Sequence, residues 1–235
     1  RLFDVPPLHL DRLVPLLSPS QLRELSSKTF VVVGLGGVGS WAAEGLARCG
    51  AGRIVLVDGD TVNETDLNRQ LFATRSNVGQ PKTEAARKRL SDVSDTELVA
   101  VQTFVTSENV AEVLADEPEV VLDAIDQTAD KLALIEFCVT KGIRLVSSMG
   151  AGGRLGPVEV KTADISETEG CALARKMRRE LRSNGIESGF EAVYSPQAAV
   201  SPAHNSSGAQ PSSVFATAPF GFALAAAAVK KALNL

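Results

Sequence analysis

From residue 29 onward, short runs that are apolar at every position alternate with longer segments whose apolar residues recur at helical spacing. Residues 29–33 and 53–57 predict strands, and 38–49 between them predicts a helix. Further strands are expected at 98–104, 120–123 and 144–147, with helices at 82–90, 107–114 and 130–141. Strands with no polar face must be covered on both sides, which points to parallel pairing. Crossovers of one hand then build an α/β, Rossmann-like doubly wound, mainly parallel sheet with helices on both faces.

After Gly150 the pattern changes. Residues 150–153, Gly-Ala-Gly-Gly, read as a close-approach loop, 158–161 as a short strand and 173–182 as a polar helix. Residues 195–213, rich in Ser, Pro and Ala, read as an irregular crossover loop. The apolar, Ala-rich stretch 215–229 contains Pro219 and falls short of the roughly 20 residues of a membrane span. It predicts a buried helix ended by Lys230 and Lys231, and no membrane partner. One domain is expected: an N-terminal arm at 1–28, loose except for a short helix near 20–25, a nucleotide-binding core at 29–150, and a substrate-side and C-terminal extension at 151–235. Residues 1–17 lack the basic start and apolar run of a targeting signal, so a cytoplasmic location is expected.

Composition narrows the function classes. The 235 residues are 44% apolar and 22% charged, ordinary for a globular chain with a real core. A net charge of −4 excludes the overall footprint of a nucleic-acid binder but leaves room for a local basic patch. Cys49, Cys138 and Cys171 stand far apart with no CxxC pair, which disfavours both structural zinc and a disulfide framework. His9 and His204 are isolated and receive no role.

The chemistry gathers at strand ends. Gly34-Leu-Gly36-Gly37-Val-Gly39 follows a strand and opens a helix, the context in which glycines let a backbone approach phosphate at a helix N-terminus. Asp58 ends the next strand, where a carboxylate can accept hydrogen bonds from a ribose. A dinucleotide dehydrogenase fits those residues equally well. Downstream, Asp58-Gly-Asp60 leads to Asn68-Arg69-Gln70 and to Gly79-Gln-Pro-Lys82. Two cations beyond the second strand suit a triphosphate whose pyrophosphate must leave. Asp123-Ala-Ile-Asp126 ends another strand at the same edge, and Asp126 offers hard oxygens for Mg²⁺.

Taken together, these motifs resemble the ubiquitin-activating-enzyme-like adenylating superfamily (ThiF, MoeB, HesA). Gly37-Val-Gly-Ser-Trp-Ala-Ala-Glu44, residues 121–126, Gly150-Ala-Gly-Gly153, the run 176–182 and Phe220-Gly-Phe222 are similar to its tRNA threonylcarbamoyladenosine dehydratase branch. The resemblance covers roughly residues 28–195 well and the C-terminus more loosely. It implies a single adenylating domain that uses ATP with Mg²⁺ and transfers AMP to a carboxylate. By position, Gly37 contacts the nucleotide, Asp58 the ribose, Arg69 and Lys82 the phosphates and Asp126 the metal, with Asn68 and Gln70 completing the loop. It further implies a homodimer in which an N-terminal arginine reaches the partner's ATP; Arg12 is the first candidate and Arg1 the second. Gln127 departs from the pattern, standing where the superfamily usually has Asn.

In that branch the activated carboxylate is the threonyl group of threonylcarbamoyladenosine in tRNA. The neighbouring carbamoyl group then closes a ring with net loss of water. No enzyme nucleophile is needed, and helical, apolar surroundings make Cys49 and Cys138 packing residues. For the tRNA, Arg175, Lys176, Arg178, Arg179 and Arg182 crowd one predicted helix around a single acid, with Arg175, Arg178, Arg179 and Arg182 expected on one face. Arg154 and Lys161 are expected to extend the patch. The alternative is an adenylyltransferase that activates the C-terminal carboxylate of a ubiquitin-like sulfur carrier, and a sulfur-relay protein partner suits either activity. A nucleotide-binding scaffold without turnover is a third reading.

Overall fold

The computed structural model describes residues 6–200 and 211–235. Arg1, His204 and the centre of the expected crossover loop lie outside the described residues. Seven strands form one sheet: β1 (Thr29–Val33), β2 (Arg53–Val57), β3 (Glu97–Val101), β4 (Val120–Asp123), β5 (Leu145–Ser148), β6 (Lys161–Asp164) and β7 (Glu191–Tyr194). Their order is β3-β2-β1-β4-β5-β7-β6, with every pairing parallel except β6 against β7. The order reverses between β1 and β4, so a crevice opens there at the carboxyl edge.

Alternation within the strands feeds two cores. Phe30 and Val32 pack on one face with Leu46, Ile54, Leu56, Phe220 and Leu224. Val31 and Val33 pack on the other with Leu134, Ile135, Cys138, Met177 and Leu181. The first face is covered by α2 (Gly39–Arg48), α3 (Lys82–Ser91) and α7 (Val214–Ala232), and the second by α4 (Val110–Val113), α5 (Thr128–Lys141) and α6 (Ala172–Ser183).

The expected strands 29–33, 53–57 and 120–123 agree with β1, β2 and β4 residue for residue. The others differ for local reasons. β3 sits at the sheet edge and stops at Val101, level with the end of β2, its only neighbour. The expected helix 107–114 shrinks to α4, because the Asn109 side chain accepts from the Thr106 N–H and donates to the Phe104 carbonyl, holding a turn before it. The strand expected at 158–161 lies at 161–164 instead, its register set by antiparallel pairing with β7, a strand the residue pattern did not reveal. Nor is the described part of the N-terminal arm, from residue 6 onward, loose. Ser18 caps α1 (Pro19–Leu25) with a full capping box, and Leu10, Leu22 and Leu25 are buried.

At 19 residues α7 is longer than expected, and among the described residues it is the one helix long and apolar enough to cross a membrane. Phe220, Leu224 and Ala228 are nonetheless fully buried in it, so its composition is that of a core helix.

Candidate active site

The glycine turn connects β1 to α2 at the carboxyl edge. Gly34 has φ +87°, and a Cβ there would stand 2.8 Å from the Ala124 carbonyl oxygen of the neighbouring loop. At Gly39 a Cβ would stand 1.7 Å from the Gly34 carbonyl oxygen. Both positions therefore require glycine, and the turn brings backbone N–H groups and the α2 N-terminus to the crevice. Gly36 and Gly37 complete it. Thr217, in the first turn of α7, and the stem of Arg69 both crowd the bare face of Gly37.

Asp58 follows β2 and is buried. Its two oxygens accept the Leu35 N–H at 2.6 Å and the Asp60 N–H at 2.8 Å, tying the glycine turn to the second strand while each keeps a further lone pair. Burial raises its pKa above the usual aspartate value, opposed by those two N–H groups and by the Lys82 charge.

Beyond Asp58 the chain folds into a loop that ends at α3. Lys82, buried at the start of α3, donates to Asp60 Oδ2 at 3.0 Å. Arg69 donates to the Thr65 carbonyl at 2.8 Å and to Asn68 Oδ1 at 3.0 Å, with Asp66 3.6 Å away. The Asn68 amide donates in turn to the Ser212 carbonyl, joining this loop to the start of α7. Gln70 is buried and donates to Asp66. The two cations thus stand at the crevice, Arg69 over the glycine turn and Lys82 beside Asp58, each held by oxygens of its own loop.

Asp126 is exposed just past β4. Its loop is fixed from below by a buried cluster that sequence reading missed. Asp123 Oδ2 accepts from Lys131 Nζ at 2.6 Å and from Ser147 Oγ at 2.6 Å, and Asp123 Oδ1 accepts the Ile125 N–H at 3.0 Å. Lys131 and Asp123 are both fully buried. One signal was present: Lys131 occupies the same helical stripe as Leu134, Ile135 and Cys138, where a lysine needs a partner.

Beside the crevice lies the loop after β5. Arg154 turns inward, donating to the carbonyls of Gly150, Gly152 and Gln197, so it does not extend a surface patch. Lys161 is paired with Glu159 and Glu169. Cys171 is buried at the start of α6, and burial pushes the Cys138 thiol up to about 12. On α6 the expected four-arginine face is divided. Arg178 donates to the Thr168 hydroxyl and to the carbonyls of Ile165 and Thr168, fastening the preceding turn. Arg179 pairs with Glu180, whereas Arg175 and Arg182 are exposed.

Arg12 is exposed in the 3₁₀ helix Leu8–Leu13, which is anchored by Leu10 against Gly50. Gly50 follows the far end of α2, so Arg12 belongs to the opposite edge from this chain's own crevice. Among the described residues, no group of three or more His, Cys, Asp or Glu is arranged to hold a metal ion. A lone carboxylate at a phosphate site nonetheless fits Mg²⁺, which takes one or two carboxylates and fills its remaining positions from phosphate and water.

A doubly wound sheet with a glycine turn at its switch point, a buried acid after the second strand and two cations over the crevice defines a Rossmann-like nucleotide-binding protein. The ThiF family matches residues 10–235, and the chain belongs to that family. It is 40% identical over 180 residues to the tRNA threonylcarbamoyladenosine dehydratase of Bacillus subtilis, covering 76% of this chain and 71% of that protein. It is 41% identical over 179 residues to the Escherichia coli enzyme of the same name, covering 73% and 67%. The crystal structure of E. coli tRNA N6-threonylcarbamoyladenosine dehydratase, TcdA, in complex with ATP superposes with a TM-score of 0.92 at 35% identity. That match covers 100% of this chain and 97% of that one.

Proposed function

We propose that this chain is an ATP-dependent tRNA threonylcarbamoyladenosine dehydratase, which adenylates the threonyl carboxylate of the modified nucleoside and cyclises it. The observation that carries the reading is the end-to-end match to an enzyme of that name in complex with ATP. In the first step a carboxylate oxygen attacks the α-phosphorus and pyrophosphate leaves, giving an acyl adenylate. The tethered carbamoyl group then attacks the acyl carbon, AMP departs with one carboxylate oxygen, and a proton is released. ATP becomes AMP and pyrophosphate while the nucleoside loses the elements of water. Tethering supplies the second step, as intramolecular attack avoids the entropic cost of bringing two reactants together.

On this reading Gly34, Gly36, Gly37 and Gly39 cradle phosphate, and Asp58 accepts from the ribose. Arg69 and Lys82 exchange their present oxygen partners for phosphate oxygens, with Asn68, Gln70 and Asp60 holding the loop. Asp126 would hold Mg²⁺, which supplies charge neutralisation on the phosphates when bound. Arg12 reaches the crevice of a second copy in a homodimer. Arg175, Arg179 and Arg182 offer phosphate contacts to tRNA, and Arg178 serves to brace their helix. The substrate on this reading is a tRNA, and the expected place of the reaction is the cytoplasm.

The test is incubation with ATP and threonylcarbamoyladenosine-containing tRNA, followed by mass spectrometry of the nucleosides. Loss of one water mass with AMP formation is expected. An unchanged nucleoside, with pyrophosphate release driven instead by a Gly-Gly-ended sulfur carrier and indifferent to RNA, would overturn the reading in favour of the adenylyltransferase.

A further inference from the structure

Arg69 is held over the glycine turn from outside its own loop. The indole N–H of Trp41, the third residue of α2, donates to the Arg69 carbonyl at 3.0 Å. Two residues further on, the Leu71 N–H donates to the Ser40 hydroxyl at 3.1 Å. These two bonds, on backbone groups that follow the Arg69 Cα, stitch the chain at the cation to the first turn of the helix that faces phosphate. The Arg69 Cγ, in consequence, passes 3.3 Å from the point where a Cβ on Gly37 would stand. On its other side the Trp41 ring meets Phe222 of α7 edge to face, with centroids 5.7 Å apart and planes at 62°. The indole is therefore clamped between the arginine loop and the helix whose first turn, at Thr217, also borders Gly37.

We propose that Trp41 is a positioning residue for the adenylation step: its N–H fixes the height of the Arg69 backbone above the glycine turn, and so where the guanidinium meets the phosphates. The inference rests on the phosphate role given to Arg69 above. Its physical basis is that a cation on a mobile loop loses orientation, and displacement of a catalytic group by about 1 Å costs up to about a hundredfold in rate. A tryptophan N–H that merely needed a partner would be satisfied by any carbonyl; here the carbonyl is that of the catalytic residue, and a second bond two residues on repeats the attachment.

Trp41→Phe retains an aromatic ring beside Phe222 and removes the N–H donor together with one ring of the indole. We expect kcat for AMP formation to fall about tenfold while the KM for ATP and the Tm stay close to those of the parent, since an arginine that is present but misaligned still meets phosphate. A parental kcat would overturn the proposal, and so would a kcat that falls only in step with Tm. Trp41 is the single tryptophan of the chain, so its emission gives a second measurement in the unaltered protein. Saturating ATP should shift that emission, and the shift should vanish in Arg69→Ala; an unshifted emission would overturn the proposal even if Trp41→Phe failed to fold. Full activity in Arg69→Ala would instead remove the phosphate role of the arginine, a failure distinct from that of Trp41.

Discussion

Asp58 shows how one residue can carry two opposed demands. It is buried because it bridges the glycine turn to the β2 loop, and burial raises its pKa. In the ribose role proposed for it Asp58 must be ionised, so ATP affinity should decline on the acid side sooner than the usual aspartate value of about 4 would give. Folding responds in the opposite sense. An acid with a raised folded pKa binds its proton more tightly when folded, so its cost to stability is relieved as pH falls through that window. Titrating ATP affinity against pH should reveal this acid limb, and Asp58→Asn should bind ATP weakly with the limb gone. The glycines and Asp58 were legible in the sequence because few residue types satisfy such backbone and hydrogen-bonding demands. Trp41 and Arg154 were not legible, since an aromatic or a cation carries no mark of the distant carbonyl it will meet.

For the elements, the sheet interior was readable and its margins were not. β1, β2 and β4 are bounded by burial on both faces, which forces a continuous apolar run. β6 and β7 owe their boundaries to each other, a pairing between segments far apart in the chain. α5 contains the clearest energetic consequence. Its Lys131 is fully buried against Asp123, which itself holds the Ile125 N–H before Asp126. Lys131→Met should destabilise the protein by about 3–5 kcal/mol, because it leaves a buried carboxylate without its charge partner. Adding Asp123→Asn should return part of that loss. Urea unfolding of the parent and the two variants measures it; a Lys131→Met protein as stable as the parent would mean the pair contributes nothing.

At the scale of the whole molecule, the role proposed for Arg12 requires a crevice other than that of its own chain, which lies on the opposite edge. Leu10 seats its turn against Gly50, far along α2 from the glycine turn. A twofold dimer that sets this edge against a partner's crevice solves the geometry, and a mixing experiment tests it. Arg12→Ala and Asp126→Ala should each be inactive alone. When the two are unfolded together and refolded at equal amounts, half the dimers are mixed and each carries one intact site, so activity should return to about a quarter of the parental value. Activity absent from the mixture would show that Arg12 acts within its own chain, and an Arg12→Ala protein that is active alone would show that Arg12 has no part in the reaction.

The sequence by itself determined the Rossmann-like sheet, the glycine turn, the strand-end acids and the two cations, because each depends on local pattern: period, backbone permission, and charge at a predicted strand end. Only the tertiary structure decided which cations remain available and which are taken. It turned Arg178 and Arg154 onto backbone carbonyls, buried Lys131 against Asp123, and set Trp41 on the back of Arg69. The reason is that a long polar side chain is assigned by whatever unpaired oxygen folding brings within its reach, and that partner is contributed by residues remote in sequence.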